Sequence, residues 1–479
     1  MSTIIRGGHV LTMDPAIGDL PVGDVLVRDG RIVAVAEHID DAEAAGGEII
    51  DAAGAIVLPG LVDGHRHVWQ SLLRGVAAEW TLPQYMVEAR SMYSGCFDTE
   101  AAYLANLVGG LESLAAGITT VVDHSHLQTD PATTDALVRG LRDSGVGGYF
   151  CYALQNVVDY QVTPAEDPDE IRAALTGMPD AWHDENVRRV RAEYFSDPSS
   201  RLRLGIALPE SAPFLPVPAL KPLAERVAAL EPAFVTSHWS MTIRDGDPTK
   251  SRLGWLARHN EWNGHIVLTH ANGLDDADLD ELLRAGIGVC TTPDVECGMG
   301  SGPLLARRFV EKGGSAALGM DLSSYAGADI LRQAHLLLQV ERKGLAEAAG
   351  GRPAMETPWA ARAALELATR IGAEAVGLGD EVGTLTPGKR GDVVVVRPDA
   401  LRAGPNPDPV AALLFYTTPA DVETVLVEGE TVKSAGRIVG YDVDELSEQT
   451  ARATARISER YGALPRPVLE KVWAGMFGG

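Results

Sequence analysis

The chain has 479 residues, 46% hydrophobic and 22% charged, which allows two to four ordinary domains or one large barrel with an accessory domain and argues against a disordered or fibrous protein. With 41 Lys and Arg against 66 Asp and Glu the net charge is −25, a field that repels phosphate backbones and anionic lipid, so neither nucleic acid nor a membrane is an expected partner. Four cysteines without a CxxC pair, and an opening MSTIIRGGHVLTMD without the apolar core of a signal peptide, lead to the expectation of a cytoplasmic protein.

In chain order, the first segment alternates short β-rich runs with turn residues: TIIRGGHVLTM, then DVLVRDGRIVAVA, where Asp29-Gly30 reads as a hairpin turn. The same texture returns in GDVVVVRP and ETVLVEGETVKSAGRIVGYD near the other end, so the two ends are expected to build one composite domain. Between them, short apolar runs alternate with helical stretches such as DTEAAYLANLVGGLESLAAG, the pattern of βα units around a parallel sheet. Eight strand candidates end in PGLVDGHRH, TTVVD, GYFCYAL, LRLGIAL, FVTSH, IVLTH, IGVCT and AALGMD. The expected fold is α/β: a (β/α)8 barrel at residues 58–380, a small β-sandwich from residues 1–57 and 381–442, and a helical tail at 443–479.

The strand ends carry the chemistry. The first finishes in His65-Arg66-His67, the fifth in His238, the sixth in His270 and the eighth in Asp321. Residues i and i+2 of a strand face one side, so His65 and His67 both point into the barrel mouth. One strand-end His is ordinarily a satisfied core residue; ligand-type residues at four separate strand ends are better explained by a divalent cation, which prefers imidazole nitrogen and carboxylate oxygen. A second pair, His124 and His126, follows the second strand and reads as pocket lining or as further metal ligands. There is no G-x-G-x-x-G, no G-x-x-x-x-G-K-[ST] and no G-x-S-x-G, so neither a nucleotide cofactor nor a serine nucleophile is implied.

PGLVDGHRHVWQSLLRG, GITTVVD, VTSH, VLTHANGL, GVCTTPDVECGMGSGP, ALGMD and GTLTPGKRGDVVVV resemble, almost end to end and in order, the amidohydrolase superfamily, in its cytosine-deaminase-like and triazine-hydrolase-like branch. The resemblance implies one divalent metal held by His65, His67, His238 and Asp321, zinc first, with iron, manganese or cobalt suiting the same ligands. It implies that Asp321 takes a proton from the nucleophilic water and that a neutral His270 donates to the developing oxyanion. It is compatible with a homo-oligomer.

One departure matters. Deaminases of that branch carry a Glu three residues after the fifth-strand His, and here that position is Met241, a thioether that transfers no proton. Pro-x-Ser-Asn of the relatives reads Pro293-Asp294-Val295-Glu296. Asp294, Glu296 and Glu210 are candidate replacement acids, and with Trp69, Trp80, His126 and Gln155 they are candidate contacts for a small-molecule substrate. The favoured activity is cleavage of a non-peptide C–N bond in a small amide, urea, carbamate or lactam. The alternatives are an N-heterocycle deaminase or dechlorinase with a substitute acid, and a catalytically silent scaffold.

Overall fold

The computed structural model describes residues 2–44, 46–158, 177–239, 255–256, 264–352, 355–357, 359–404, 407–465, 468 and 470–471. Met241 lies outside them.

Two sheets organise the chain. The first has nine strands drawn from both ends. Leu20–Arg28 and Arg31–Ala36 form the expected hairpin, and Asp29 (φ 49°) and Gly30 (φ 78°) both take the left-handed conformation that a tight two-residue turn requires. The ends meet where Ile56–Pro59 pairs antiparallel with Val393–Val396, in register from Ile56↔Val396 to Val393↔Pro59. One residue later the chain enters the barrel at Leu61, so the composite sheet is anchored to the first barrel strand. The buried pair Arg390–Asp392 (2.6 Å) adds a second anchor, since Arg390 also donates to Thr120 Oγ1 on the second barrel strand (3.2 Å).

The second sheet is parallel and closed. Its strands are Leu61–His67, Ile118–Ser125, Gly147–Ala153, Leu202–Ala207, Phe234–Trp239, His265–His270 and Gly288–Thr291. The eighth is broken at Gly319-Met320 into Ala316–Leu318, which pairs with the seventh, and Asp321–Leu322, which pairs with the first through Asp321↔Arg66 and Leu322↔His67. Gly64 permits that closure: a Cβ there would lie 2.4 Å from Ala317 Cβ. Helices cover the outside. Thr99–Ala115 starts at Asp98, whose side chain accepts from Ala101 N, and Pro131–Ser144 stops at Gly145, which turns left-handed at φ 84°. Val443–Gly462 forms a further helix near the C-terminus. Among the described residues no helix is long and apolar enough to cross a membrane.

Strand alternation sets the mouth. His65 and His67 face inward, and Arg66 between them faces outward, where its donors go to Glu112 (2.6 Å), Ser113 (2.6 Å) and Ser323 (3.0 Å). That buried pairing fixes the rotation of the first strand and hence the aim of both imidazoles.

Candidate metal centre and substrate mouth

Four side-chain atoms converge at the C-terminal end of the barrel. His65 Nε2 and His67 Nε2 are 3.2 Å apart, and His238 Nε2 lies 3.1 Å from the first and 3.2 Å from the second. Asp321 Oδ1 is 3.5 Å from His65 Nε2 and 3.2 Å from His67 Nε2. A tetrahedral ion with ligands at about 2.0–2.1 Å has ligand–ligand edges of about 3.3 Å, and these separations bracket that value. His65, His67 and Asp321 are buried.

The outer hydrogen bonds explain why the nitrogens point inward. His65 Nδ1 meets Thr269 Oγ1 (3.1 Å), His67 Nδ1 meets the His124 carbonyl (2.9 Å), and His238 Nδ1 meets Glu210 Oε2 (3.0 Å). Each Nδ1–H is therefore donated outward, leaving three Nε2 lone pairs facing one another and a carboxylate. Burial pushes the His65 and His67 imidazoles below their ordinary value, so they are neutral donors. Burial pushes Asp321 up, but the neighbouring imidazoles of His65, His67 and His270 hold it well below the usual carboxylate range. A cluster of lone pairs and one anion, with no proton to share, fits a divalent cation.

Two of the strand ends are strained. His270 (φ 69°) and Asp321 (φ 59°) sit in the left-handed region, which costs about 1–3 kcal/mol each and is held only because neighbouring contacts over-determine it. For His270 those contacts are Glu296 Oε1, 3.2 Å from Nδ1, and Thr292 Oγ1, 3.3 Å from it. Its Nε2 lies 3.9 Å from Asp321 Oδ2. Burial opposes protonation of His270, but the hydrogen bond to Glu296 and the charge of Asp321 raise it above the ordinary imidazole value.

The candidate acids are placed differently from one another. Glu210 joins a chain: Trp69 Nε1 donates to His126 Nδ1 (3.4 Å), His126 Nε2 donates to Glu210 Oε1 (2.8 Å), and Oε2 takes the His238 proton. Burial pushes Glu210 up, but His238 and His126 hold it well below the usual range. Glu296, fully buried, accepts from His270, Asn272 Nδ2 (2.9 Å) and Thr292 N (2.8 Å). Asp294 turns away to Arg332 (3.1 Å) and Gln333 (2.8 Å). Gln155 accepts from Glu210 N (3.4 Å). Trp80 packs against the buried cluster of Tyr85, Ala89, Val295 and Leu322 and lies with its ring centroid 6.5 Å from that of Tyr93. His124 stacks on His238 with ring centroids 4.3 Å apart, and both its ring nitrogens are buried without a partner.

Sequence reasoning missed Arg90, on the helical turn Glu88–Tyr93, whose guanidinium is buried 3.7 Å from Glu210 Oε1. An isolated Arg in the segment after the first barrel strand carries no sequence signal of burial.

The amidohydrolase family model matches residues 56–200 and 230–432. A relative from Symbiobacterium thermophilum, named 5-methylthioadenosine/S-adenosylhomocysteine deaminase, is 28% identical over 95% of this chain and 98% of its own. A 5'-deoxyadenosine deaminase from Methanosarcina acetivorans is 26% identical over 96% and 99%. Among solved structures, a zinc-bound adenosine deaminase from Xanthomonas campestris superposes with a TM-score of 0.76 at 20% identity, covering 95% of this chain and 98% of that one. The zinc complex of atrazine chlorohydrolase from Arthrobacter aurescens gives 0.77 at 21% identity, covering 94% and 100%.

Proposed function

The chain belongs to the amidohydrolase family, and from that premise we propose that it hydrolyses a non-peptide C–N bond in a small carbonyl-type substrate, with His65, His67, His238 and Asp321 holding one divalent metal ion. Amides, ureas, carbamates and lactams form the substrate class. Zinc is the first choice, being the metal in the two solved structures and suited to three imidazoles and one carboxylate. A bound divalent cation supplies a Lewis acid that brings the pKa of water toward neutrality and polarises a carbonyl.

The chain's own groups do the rest. Asp321 directs Oδ1 at the imidazoles, which leaves Oδ2, beside Thr292 Oγ1 (3.4 Å), to accept the proton of the attacking water and hand it to the departing nitrogen. The contacts of His270 bear on the neutral donor that the resemblance implies. With Nδ1–H given to Glu296, Nε2 carries a proton only in the imidazolium, and Glu296 and Asp321 both favour that form. His270 then donates Nε2–H to oxygen as negative charge develops on it.

The observation that carries the substrate class is the engagement of the carboxylates. Glu210 is closed by two imidazoles, Glu296 by His270, Asn272 and Thr292, and Asp294 by Arg332 and Gln333, so none of these is left to protonate a ring nitrogen. Carbonyl hydrolysis needs an oxyanion donor and one proton carrier, and His270 and Asp321 supply both. Ring deamination needs a further donor, whose loss costs roughly 10²–10⁴ in rate. The names of the relatives favour a second reading, deamination of an adenosine-type heterocycle. Metal-loaded protein assayed for ammonia release on 5'-methylthioadenosine, 5'-deoxyadenosine, adenosine and cytosine, beside a panel of amides, ureas and carbamates, separates the two. Turnover is expected in the panel alone; efficient deamination of any of the four overturns the first reading.

A further inference from the structure

Among the described residues three arginines are buried, and one of them is unspent. Arg66 gives its donors to Glu112, Ser113 and Ser323, and Arg390 gives its own to Asp392 and Thr120. Arg90 is only 3% exposed, yet its Nε and Nη1 have no hydrogen-bond acceptor. Its nearest carboxylate oxygen, Glu210 Oε1, is 3.7 Å away and already takes the His126 proton at 2.8 Å. At that distance Glu210 gives Arg90 charge but no hydrogen bond. Leaving donors of a buried cation unpaired costs more than an ordinary hydrogen bond returns, so the arrangement calls for an occupant.

We propose that Arg90 is the anion-recognising end of the substrate mouth, and that the substrate carries a carboxylate that docks on its guanidinium. A planar fork of N–H donors matches a carboxylate in charge and shape, where an ammonium would not. A chain of contacts links Arg90 to the converging cluster. Glu210, beside Arg90, contacts His238, and the other nitrogen of His238 belongs to the converging cluster. Tyr85 and Ala89 form an apolar wall with Val295 and Leu322, which excludes water and strengthens a charged pair.

A second cation would be the competing occupant, since His124, His126, Glu210 and His238 bring ligand atoms within 4.8 Å of one another. The hydrogen bonds argue against it. His126 and His238 direct N–H groups, not lone pairs, at Glu210, and the Arg90 charge stands beside the same carboxylate.

The inference rests on the reading of this mouth as a hydrolase site, but its test does not need turnover. Calorimetry on metal-loaded protein compares benzoate with benzamide, and then benzoate binding to R90K and R90Q and to wild-type protein stripped of metal. Benzoate is expected to bind at least about tenfold more tightly than benzamide, and to lose about tenfold or more in R90K, which keeps the charge but not the fork. It should still bind the metal-free protein. Equal affinity for the two probes, a comparison that needs no variant, overturns the proposal. So does benzoate binding that vanishes with the metal and is unchanged in R90K, which would place the carboxylate on the metal. If benzoate binds through Arg90 while no C–N substrate is turned over, the subsite stands and the hydrolase reading falls; if a panel compound is hydrolysed but the probes are not distinguished, the reverse holds.

Discussion

Replacing Glu210 by Gln removes one charge and changes one oxygen to an NH2, and the consequences can be followed atom by atom. In the native arrangement both oxygens accept from imidazoles, Oε1 from His126 at 2.8 Å and Oε2 from His238 at 3.0 Å. A Gln satisfies only one of them. If its NH2 faces His238, that ring must move its proton to Nε2, directing an N–H at the converging cluster where a lone pair is needed. If the NH2 faces His126, that ring moves its proton to Nδ1, against the Trp69 Nε1–H at 3.4 Å. In the second case, or if His238 keeps its Nδ1 proton, one donor–donor contact is buried, at about 1–3 kcal/mol. Outer partners of ligand histidines are worth 10- to 100-fold in metal affinity, or about 1.4 to 2.7 kcal/mol, so E210Q is expected to weaken zinc binding by that factor. Competition with a chelator of known affinity measures it, alongside a thermal melt of the metal-free protein to register any loss of fold. Zinc affinity within twofold of wild type in a normally folded E210Q would refute the assignment of His238 as a ligand held through Glu210.

Truncation near Gly379 removes Val393–Val396 and leaves Ile56–Pro59 with an unpaired apolar edge, so the shortened chain is expected to aggregate; a soluble product that melts cooperatively would contradict the composite sheet. Lys433 donates to the carbonyls of Ala115 (2.6 Å) and Pro419 (3.3 Å), and burial pushes it down from 10.5 to about 8. The folded state therefore holds this proton less tightly than the unfolded chain, so the contribution to stability is full above about 10.5 and is lost as pH falls through about 8. Melting temperature should rise from pH 8 to 10 in wild type relative to K433M, and parallel curves would dismiss the effect.

The parts of the site that were legible in the sequence share one cause. His65, His67, His238, His270 and Asp321 each close an apolar run, and a barrel places every such end at one mouth. What orients them was hidden, because it depends on neighbours across strands. Thr269 reaches His65 from the sixth strand and the His124 carbonyl reaches His67 from the second, contacts fixed by register and not by spacing along the chain. The break at Gly319-Met320 was equally invisible, since AALGMD reads as one continuous strand although its halves pair on opposite sides. Among the candidate acids, sequence position could not separate Glu210 and Glu296, which hold imidazoles, from Asp294, which faces a helix.

The pairing of Ile56–Pro59 with Val393–Val396 has a consequence for synthesis. The first two imidazoles leave the ribosome with residues 65 and 67, yet the strand that delivers them is preceded by one that finds its antiparallel neighbour more than 300 residues later. Asp321, which shuts the ring against that first strand, also arrives late. Such long-range closure makes folding slow and exposes unpaired strands in the nascent chain. If His65, His67, His238 and Asp321 hold the ion as proposed, a metal supplied during translation would meet an incomplete set of ligands, and loading is expected to follow the joining of the two chain ends.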